Sequence, residues 1–331
     1  MTIIYRDDDA NLAILEDKVV GVIGYGSMGR PFALNLHDTG IQVLVGVRSE
    51  ATAQRVHDDG LRATTIEAVV QATHILLLML PDEVMAQVYI EKIAPYLQRG
   101  HTLIFASGYN IAAGFIEAPP FVDVGVIAPR TIGETARERY LSGQGFYSFI
   151  AVGQDASGTV WHTVLAIAKA IGTLRAGAVE TTIEQEMELD QFMQQAILPA
   201  VHHILVTAAQ LLLEYGYPPE AAMMDLYVSG ELSDYIDRVA NQGLLHALRM
   251  SNLTAQFGIF SRLERFRELK MERLMEVTLN EIRQGKFAHE WAKEYAEGYP
   301  RLKRLLKDQE DLSLWDLEQQ TIDYLKRDDD F

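Results

Sequence analysis

Val19-Val20-Gly21-Val22-Ile23-Gly24-Tyr25-Gly26-Ser27-Met28-Gly29-Arg30 joins an apolar, β-branched run to three spaced glycines. Phe32, Ala33, Leu34 and Leu36 follow with a helix-like pattern. Strand, glycine turn and helix in this order make a dinucleotide-binding fingerprint. Gly24 permits the tight turn, Gly26 lets the backbone approach a pyrophosphate, and Gly29 lets the helix lie close to the strand. The pyrophosphate would rest on the free N–H groups and positive end of the helix. Tyr25, Ser27 and Met28 fall inside the same loop.

Moving outward, residues 42–47, 75–80, 102–106 and 122–128 read as further strands, and 149–152 as a sixth. Helical patterns separate them, and Pro81-Asp82-Glu83 opens one with Pro and acids in its first turn. The alternation predicts an α/β Rossmann domain, a doubly wound parallel sheet whose ligands sit at the carboxyl ends of strands. Leu80-Pro81-Asp82, Ser107-Gly108-Tyr109-Asn110 and Pro129-Arg130-Thr131 all fall at such ends. From about Ile183 helical periodicity takes over, with a long stretch from Glu184 to Tyr215 and helices expected at 219–229, 231–241, 244–256, 264–283, 287–297 and 313–326. The expected domains are 1–181 and 182–331.

The 331 residues exceed what one core usually serves. Hydrophobic content of 48% excludes a disordered chain, and a net charge of −17 argues against a nucleic-acid partner. With 0 cysteines there is no thiol nucleophile or disulfide framework. Met1 to Asp9 is unlike a signal peptide, and no unbroken apolar run reaches membrane-spanning length. The expectation is a cytoplasmic protein with no membrane partner. Asp7-Asp8-Asp9 and Asp328-Asp329-Asp330 read as solvated tails.

The second strand ends Gly46-Val47-Arg48-Ser49, with Thr52 close behind. An NAD site usually has an acid there, whereas Arg48 can meet a 2′-phosphate bidentately and Ser49 and Thr52 can donate to it. NADPH is expected, with Glu50 as the counter-indication. In the helical half, Glu186, Asp190 and Gln194 fall at i, i+4, i+8 among apolar neighbours. Such carboxylates must be hydrogen-bonded, paired with Arg, or bound to a metal; with Asp225 and Glu231 they form an oxygen-rich set suited to Mg²⁺.

Several stretches together resemble the short-chain class of ketol-acid reductoisomerase: Ile23-Gly24-Tyr25-Gly26-Ser27, Leu80-Pro81-Asp82-Glu83-Val84, Gly108-Tyr109-Asn110-Ile111, Ala128-Pro129, Glu180-Thr181-Thr182 with Asp190, and Gly285-Lys286-Phe287-Ala288. The resemblance implies an NADPH-binding Rossmann domain and an all-helical, knotted domain that forms a homodimer or higher homo-oligomer. It also implies a reaction of two stages, alkyl migration in a 2-acetohydroxy acid held by two Mg²⁺ ions, then reduction by hydride. Asp190 matches the family's bridging aspartate. Gln194 replaces a glutamate, and Asp225 and Glu231 stand for two glutamates one turn apart. Ser107 replaces a histidine, Arg130 a lysine, and Ser251 matches a serine that holds the substrate carboxylate.

These departures fall on positions that carry metal and protons, while the nucleotide-facing residues are kept. An NADPH-dependent reductase of a small 2-oxo acid or imine is therefore expected, with alkyl migration weak or lost. In it Arg130 would clamp a carboxylate and Ser107, Tyr109 or Asn110 would bond the reacting atom. A working reductoisomerase of branched-chain amino-acid biosynthesis with an altered Mg²⁺ site, and a non-catalytic nucleotide-binding protein, are the other two readings.

Overall fold

The computed structural model describes residues 2–267, 269–310 and 312–325, in two compact units, 1–190 and 191–331. In the first, β1 (Ile4–Tyr5), β2 (Val19–Ile23), β3 (Gln42–Gly46), β4 (Arg62–Thr64), β5 (Ile75–Leu78), β6 (Thr102–Phe105), β7 (Asp123–Pro129), β8 (Ser148–Gln154) and β9 (Ala178–Glu180) make one sheet. Its order is β1-β9-β8-β7-β6-β5-β2-β3-β4. The strands from β7 through β6, β5 and β2 to β3 and β4 are parallel, with Val20 opposite Val43 on one side and Ile75 on the other. The strand order reverses at β2, the switch point where such sheets open a crevice. β8 pairs antiparallel with β7, and β1 antiparallel with β9.

The strands carry unbroken apolar runs because both faces are covered. Val20, Val22 and Leu77 pack with Phe32 and Leu36 of α1 (Gly29–Asp38) on one face. α2 (Glu50–Asp58) joins that same face through Val56, and Ile23, Leu76 and Leu78 pack on the other, beneath α3 (Ile66–Ala72) and α4 (Asp82–Val88), with Ile66, Val69 and Met85 in that core. The remaining helices of this unit are α5 (Tyr109–Ala112), α6 (Gly133–Leu141), α7 (Val160–Ala170), α8 (Thr173–Ala176) and α9 (Ile183–Phe192). Asp7 to Asp9 is no free tail: the Arg6 N–H donates to Asp9, and Lys169 donates to the Asp7 carbonyl at 2.7 Å. Asp328 to Asp330 lies outside the described residues.

α9 continues through a π-helical turn, Met193–Ile197, into α10 (Leu198–Glu214). This 32-residue helix, Ile183–Glu214, reaches a mean hydropathy of 1.7 over 18 residues, enough by length and composition to cross a membrane. A search for an unbroken apolar run misses it because polar residues interrupt it. α11 (Pro219–Met223), α12 (Glu231–Gln242), α13 (Leu244–Arg249), α14 (Leu253–Arg267), α15 (Met271–Arg283), α16 (Lys286–Ala296), α17 (Pro300–Glu310) and α18 (Leu314–Leu325) follow. Two expected helices are divided. The 244–256 stretch breaks where Asn252 accepts from the Ala255 N–H and caps a new helix, and the 264–283 stretch is shared between α14 and α15.

Candidate functional site

The glycine loop adopts the geometry its sequence requires. Gly24 has φ +99°, and a Cβ there would collide with the Met79 carbonyl oxygen. A Cβ on Gly29 would strike the Gly24 carbonyl, whereas one on Gly26 would meet nothing within 4 Å. Gly26 thus faces open space, where a pyrophosphate can approach. Met28 precedes α1, and Ser27 lies so close to Gly133 that α6 starts against the loop.

Gly24, Tyr25 and Gly26 line a cavity of about 440 Å³ together with Arg48, Ser49, Thr52, Leu80 and Pro81. Ser49 caps α2 by accepting from the Thr52 N–H, and the two hydroxyls lie 2.8 Å apart. Arg55 joins this lining and is absent from the sequence-based set. Its position three residues beyond Thr52, on the same helical face, is the signal that would have found it. Glu50 does not line the cavity.

A second group gathers at the carboxyl ends of β6 and β7, with Glu186 as its hub. Glu186 is fully buried. One of its oxygens accepts from the Gly108 N–H at 2.7 Å, the other from Arg130 Nη2 at 2.6 Å. Arg130 Nη1 donates to Asp190 at 3.0 Å, and the guanidinium lies over the Phe149 ring. The i, i+4 spacing of Glu186 and Asp190 lets one planar guanidinium span both. Of the alternatives open for these carboxylates, the structure shows pairing with Arg. Arg130 is therefore not a free carboxylate clamp, since both terminal nitrogens are engaged. Burial pushes the Glu186 carboxyl above the usual carboxylate range, against the pull of the Gly108 N–H and Arg130. Gly108 has no room for a side chain, because a Cβ would press on Glu186 and Ile183.

Ser107 accepts from the Tyr109 N–H at 3.2 Å and so keeps its hydroxyl proton to donate. Asn110 is buried and donates to Asp82 at 2.9 Å. Burial is the main cause that raises Asp82 to about 6, with the negative charges of Asp190 and Glu83 adding to it and the Asn110 hydrogen bond opposing. Tyr109 is raised to about 12 by burial and by Asp82.

In the second unit, Gln194 lies in the π-helical turn Met193–Ile197. Asp225 sits in another, Met224–Val228, and Glu231 opens α12 after Ser229 and a left-handed Gly230 at φ +85°. The two carboxylates thus belong to different elements and share no helical face. Ser251 lies between α13 and α14, its carbonyl accepting from Gln256 at 2.7 Å. Among the described residues, no group of three or more His, Asp or Glu side chains is arranged to hold a metal. Mg²⁺ keeps several waters and takes one or two ionised carboxylates from the protein. Here Asp190 is bonded to a permanent cation and Gln194 offers a neutral amide, so these residues do not fit a pair of Mg²⁺ ions.

Comparison with known proteins gives the fold its family. Residues 14–177 match the acetohydroxy acid isomeroreductase NADPH-binding domain, and residues 183–326 match the ketol-acid reductoisomerase C-terminal domain. A "Ketol-acid reductoisomerase (NADP(+))" of Methanothermobacter thermautotrophicus is 39% identical over 313 residues, 94% of this chain and 95% of that one. A "Ketol-acid reductoisomerase (NAD(P)(+))" of Metallosphaera sedula is 37% identical over 325 residues, 98% of this chain and 95% of that one. The structure of an NADH-preferring ketol-acid reductoisomerase from an uncultured archean superposes with a TM-score of 0.90 at 30% identity, covering 96% of this chain and 98% of that one. The chain is an NADP-dependent oxidoreductase and belongs to the ketol-acid reductoisomerase family.

Proposed function

We propose that the protein uses NADPH to reduce the carbonyl or imine of a small substrate, such as a 2-oxo acid, and that the alkyl migration of its family is weak or lost. The observation that carries this reading is the Arg130 guanidinium bonded to both Glu186 and Asp190. A guanidinium does not titrate near neutrality. It neutralises Asp190, which the resemblance matches to the family's bridging aspartate, and the neutral Gln194 removes a further charge. Migration needs strong polarisation of two substrate oxygens, which this arrangement does not supply. Reduction needs less.

NADPH supplies the hydride when bound. The glycine loop and the start of α1 hold its pyrophosphate, and Arg48, Ser49, Thr52 and Arg55 face its 2′-phosphate. Leu80, Pro81, Asp82 and Gly108 border its path at the strand ends. Arg130 keeps a second N–H on each terminal nitrogen to bond the reacting oxygen or nitrogen. Ser107 donates the proton that this atom takes up, and solvent replaces it. Ser251, in the second unit, is the residue that the resemblance matches to a carboxylate-holding serine.

The working form is inferred to be a homodimer or higher homo-oligomer, located in the cytoplasm, with a knotted helical domain. Exposed Leu198, Val201, Ile204 and Leu211 on α10 support that assembly, because an apolar helix face needs a cover.

The test follows NADPH oxidation with 2-acetolactate, with ready-made 2-oxo acids and with imines, each with and without Mg²⁺. Turnover of a 2-oxo acid or imine without Mg²⁺, and little with acetolactate, is expected. Acetolactate turnover at about 1–10³ s⁻¹, an ordinary enzyme rate, would establish a working reductoisomerase and overturn the proposal. No oxidation across the panel would point to a non-catalytic nucleotide-binding protein.

A further inference from the structure

The Tyr25 side chain turns inward from between the first two fingerprint glycines and is only 3% exposed. Its hydroxyl donates to Asp59 Oδ2 at 2.7 Å. Arg30, in the first turn of α1, grips the same carboxylate with both prongs, Nε to Oδ2 and Nη2 to Oδ1, each at 2.7 Å. Asp59 is the residue that ends α2. One carboxylate thus joins the glycine loop, the pyrophosphate end of α1 and the far end of α2.

Two features of this arrangement go against local preference. An anion at a helix C-terminus faces the negative end of the dipole. An arginine in the first turn of the fingerprint helix stands where it could serve a phosphate directly, yet Arg30 is turned to Asp59. Each is accounted for by the other: the guanidinium offsets the misplaced carboxylate and holds it well below its ordinary pKa, with the Tyr25 hydrogen bond helping. α2 needs such a fixture. Val56 is its one buried residue, so packing holds it lightly. Its other end, about 13 Å away by helical rise, carries Ser49 and Thr52 in the cofactor cavity.

We propose that Tyr25, Arg30 and Asp59 form a fixture that registers α2 against the glycine loop and so sets the preference for NADPH over NADH. Tyr25 and Asp59 act as positioning residues, through α2 and the loop. Releasing the fixture lets α2 shift, which loosens the 2′-phosphate contacts at Arg48, Ser49, Thr52 and Arg55. The pyrophosphate contacts, made by loop backbone that Gly24 and Gly29 confine, are affected less. The inference rests on the reading that the Arg48–Thr52 cavity takes a 2′-phosphate.

The test is direct binding of NADPH and of NADH, without substrate, to wild type, Y25F, D59N, D59A and R48A. Y25F keeps the ring and removes one hydrogen bond, and D59N keeps an acceptor without the charge. For D59A and Y25F the NADPH Kd rises about tenfold, the cost of one hydrogen bond to a charged group. The NADH Kd rises by less than about threefold on the same scale, and D59N falls between wild type and D59A. Thr173→Val removes a buried hydroxyl that bonds the Phe146 carbonyl and Ser148 and does not line the cavity, and so reports the effect of lost stability. It leaves both affinities unchanged. Equal losses for NADPH and NADH in Y25F and D59A, or no loss in either, would overturn the fixture. If R48A fails to weaken NADPH selectively, the 2′-phosphate reading fails by itself, whatever Y25F does.

Discussion

In the first unit the sheet buries large side chains on both faces, among them Phe32, Leu36, Leu76, Leu77 and Phe105, each fully enclosed. In the second unit the buried apolar residues, among those described, are Met223, Ile282, Leu314 and four alanines, while Leu198, Ile204, Leu211, Leu253, Phe257 and Phe266 are at least half exposed. One unit closes its core from its own chain. The other displays apolar surface on helix after helix and closes only a small cluster around Ala209, Met223 and Leu314. A fold can therefore be locally complete in its cofactor-binding part and leave apolar surface uncovered in its helical part.

The sharpest way to break this contrast is to charge the exposed helix. Ile204→Asp with Leu211→Asp should abolish the proposed assembly and unfold the helical unit, because each aspartate would enter the apolar face that this assembly covers. Light scattering should show a monomer, and far-UV circular dichroism a large loss of helix. If the double variant keeps both its mass and its helix, α10 is a free surface. A matched change in the first unit, Phe32→Ala, should cost about 3–5 kcal/mol, the usual range for a buried Phe. Its melting should not depend on protein concentration, whereas that of the second unit should rise with it.

The next largest effect concerns Arg130. Removing it in Arg130→Ala leaves Glu186 buried beside Asp190 with only the Gly108 N–H to hold it. The expected loss is about 3 kcal/mol, the low end for breaking a buried pair because Arg130 is itself 28% exposed. Arg130→Lys keeps the charge but cannot span both carboxylates, so about 1.5 kcal/mol is expected, one hydrogen bond to a charged group. Denaturant unfolding measures both. Equal destabilisation by Ala and Lys would mean that bidentate geometry matters more than charge, and would weaken the case that Arg130 stands as the resident cation.

How much of this was legible in the sequence follows the range of the interactions involved. The glycine loop was readable because its demands are local: φ at Gly24, space at Gly26, contact at Gly29. β1, β4 and β9 were not, since two or three residues carry no periodicity and pairing alone defines them. α17 was passed over because its strongly polar sequence offers only a thin apolar stripe. The carboxylates at 186 and 190 could be placed on one helical face. Their partner could not, since Arg130 lies 56 residues from Glu186 and only the sheet brings it there. Arg55 and Asp59 were missed for the same reason, as their roles depend on where α2 ends and what its ends face.

The smallest effect lies at Asp82, where the two kinds of site residue meet: it starts α4 beside the cofactor cavity and feels the charge of Asp190. Its folded pKa of about 6 lies above the ordinary 3.8. Between these values the folded protein binds more protons than the unfolded chain, so stability falls as pH rises. The protonated carboxyl's contribution is complete below about 3.8 and is lost as pH passes about 6. Asp82→Asn keeps an acceptor for Asn110 and removes the charge. The melting temperature of wild type relative to D82N should therefore be higher near pH 5 than near pH 8, by a few degrees at most, on the scale of about 2–4 °C per kcal/mol for a unit of this size. Comparing the two proteins cancels carboxylates with the opposite sign, such as Asp59 and Glu67, whose lowered pKa values cost stability as pH falls. A difference that does not change with pH would mean that Asp82 stays ionised, and that the negative charge of the acidic group stops short of the cofactor cavity.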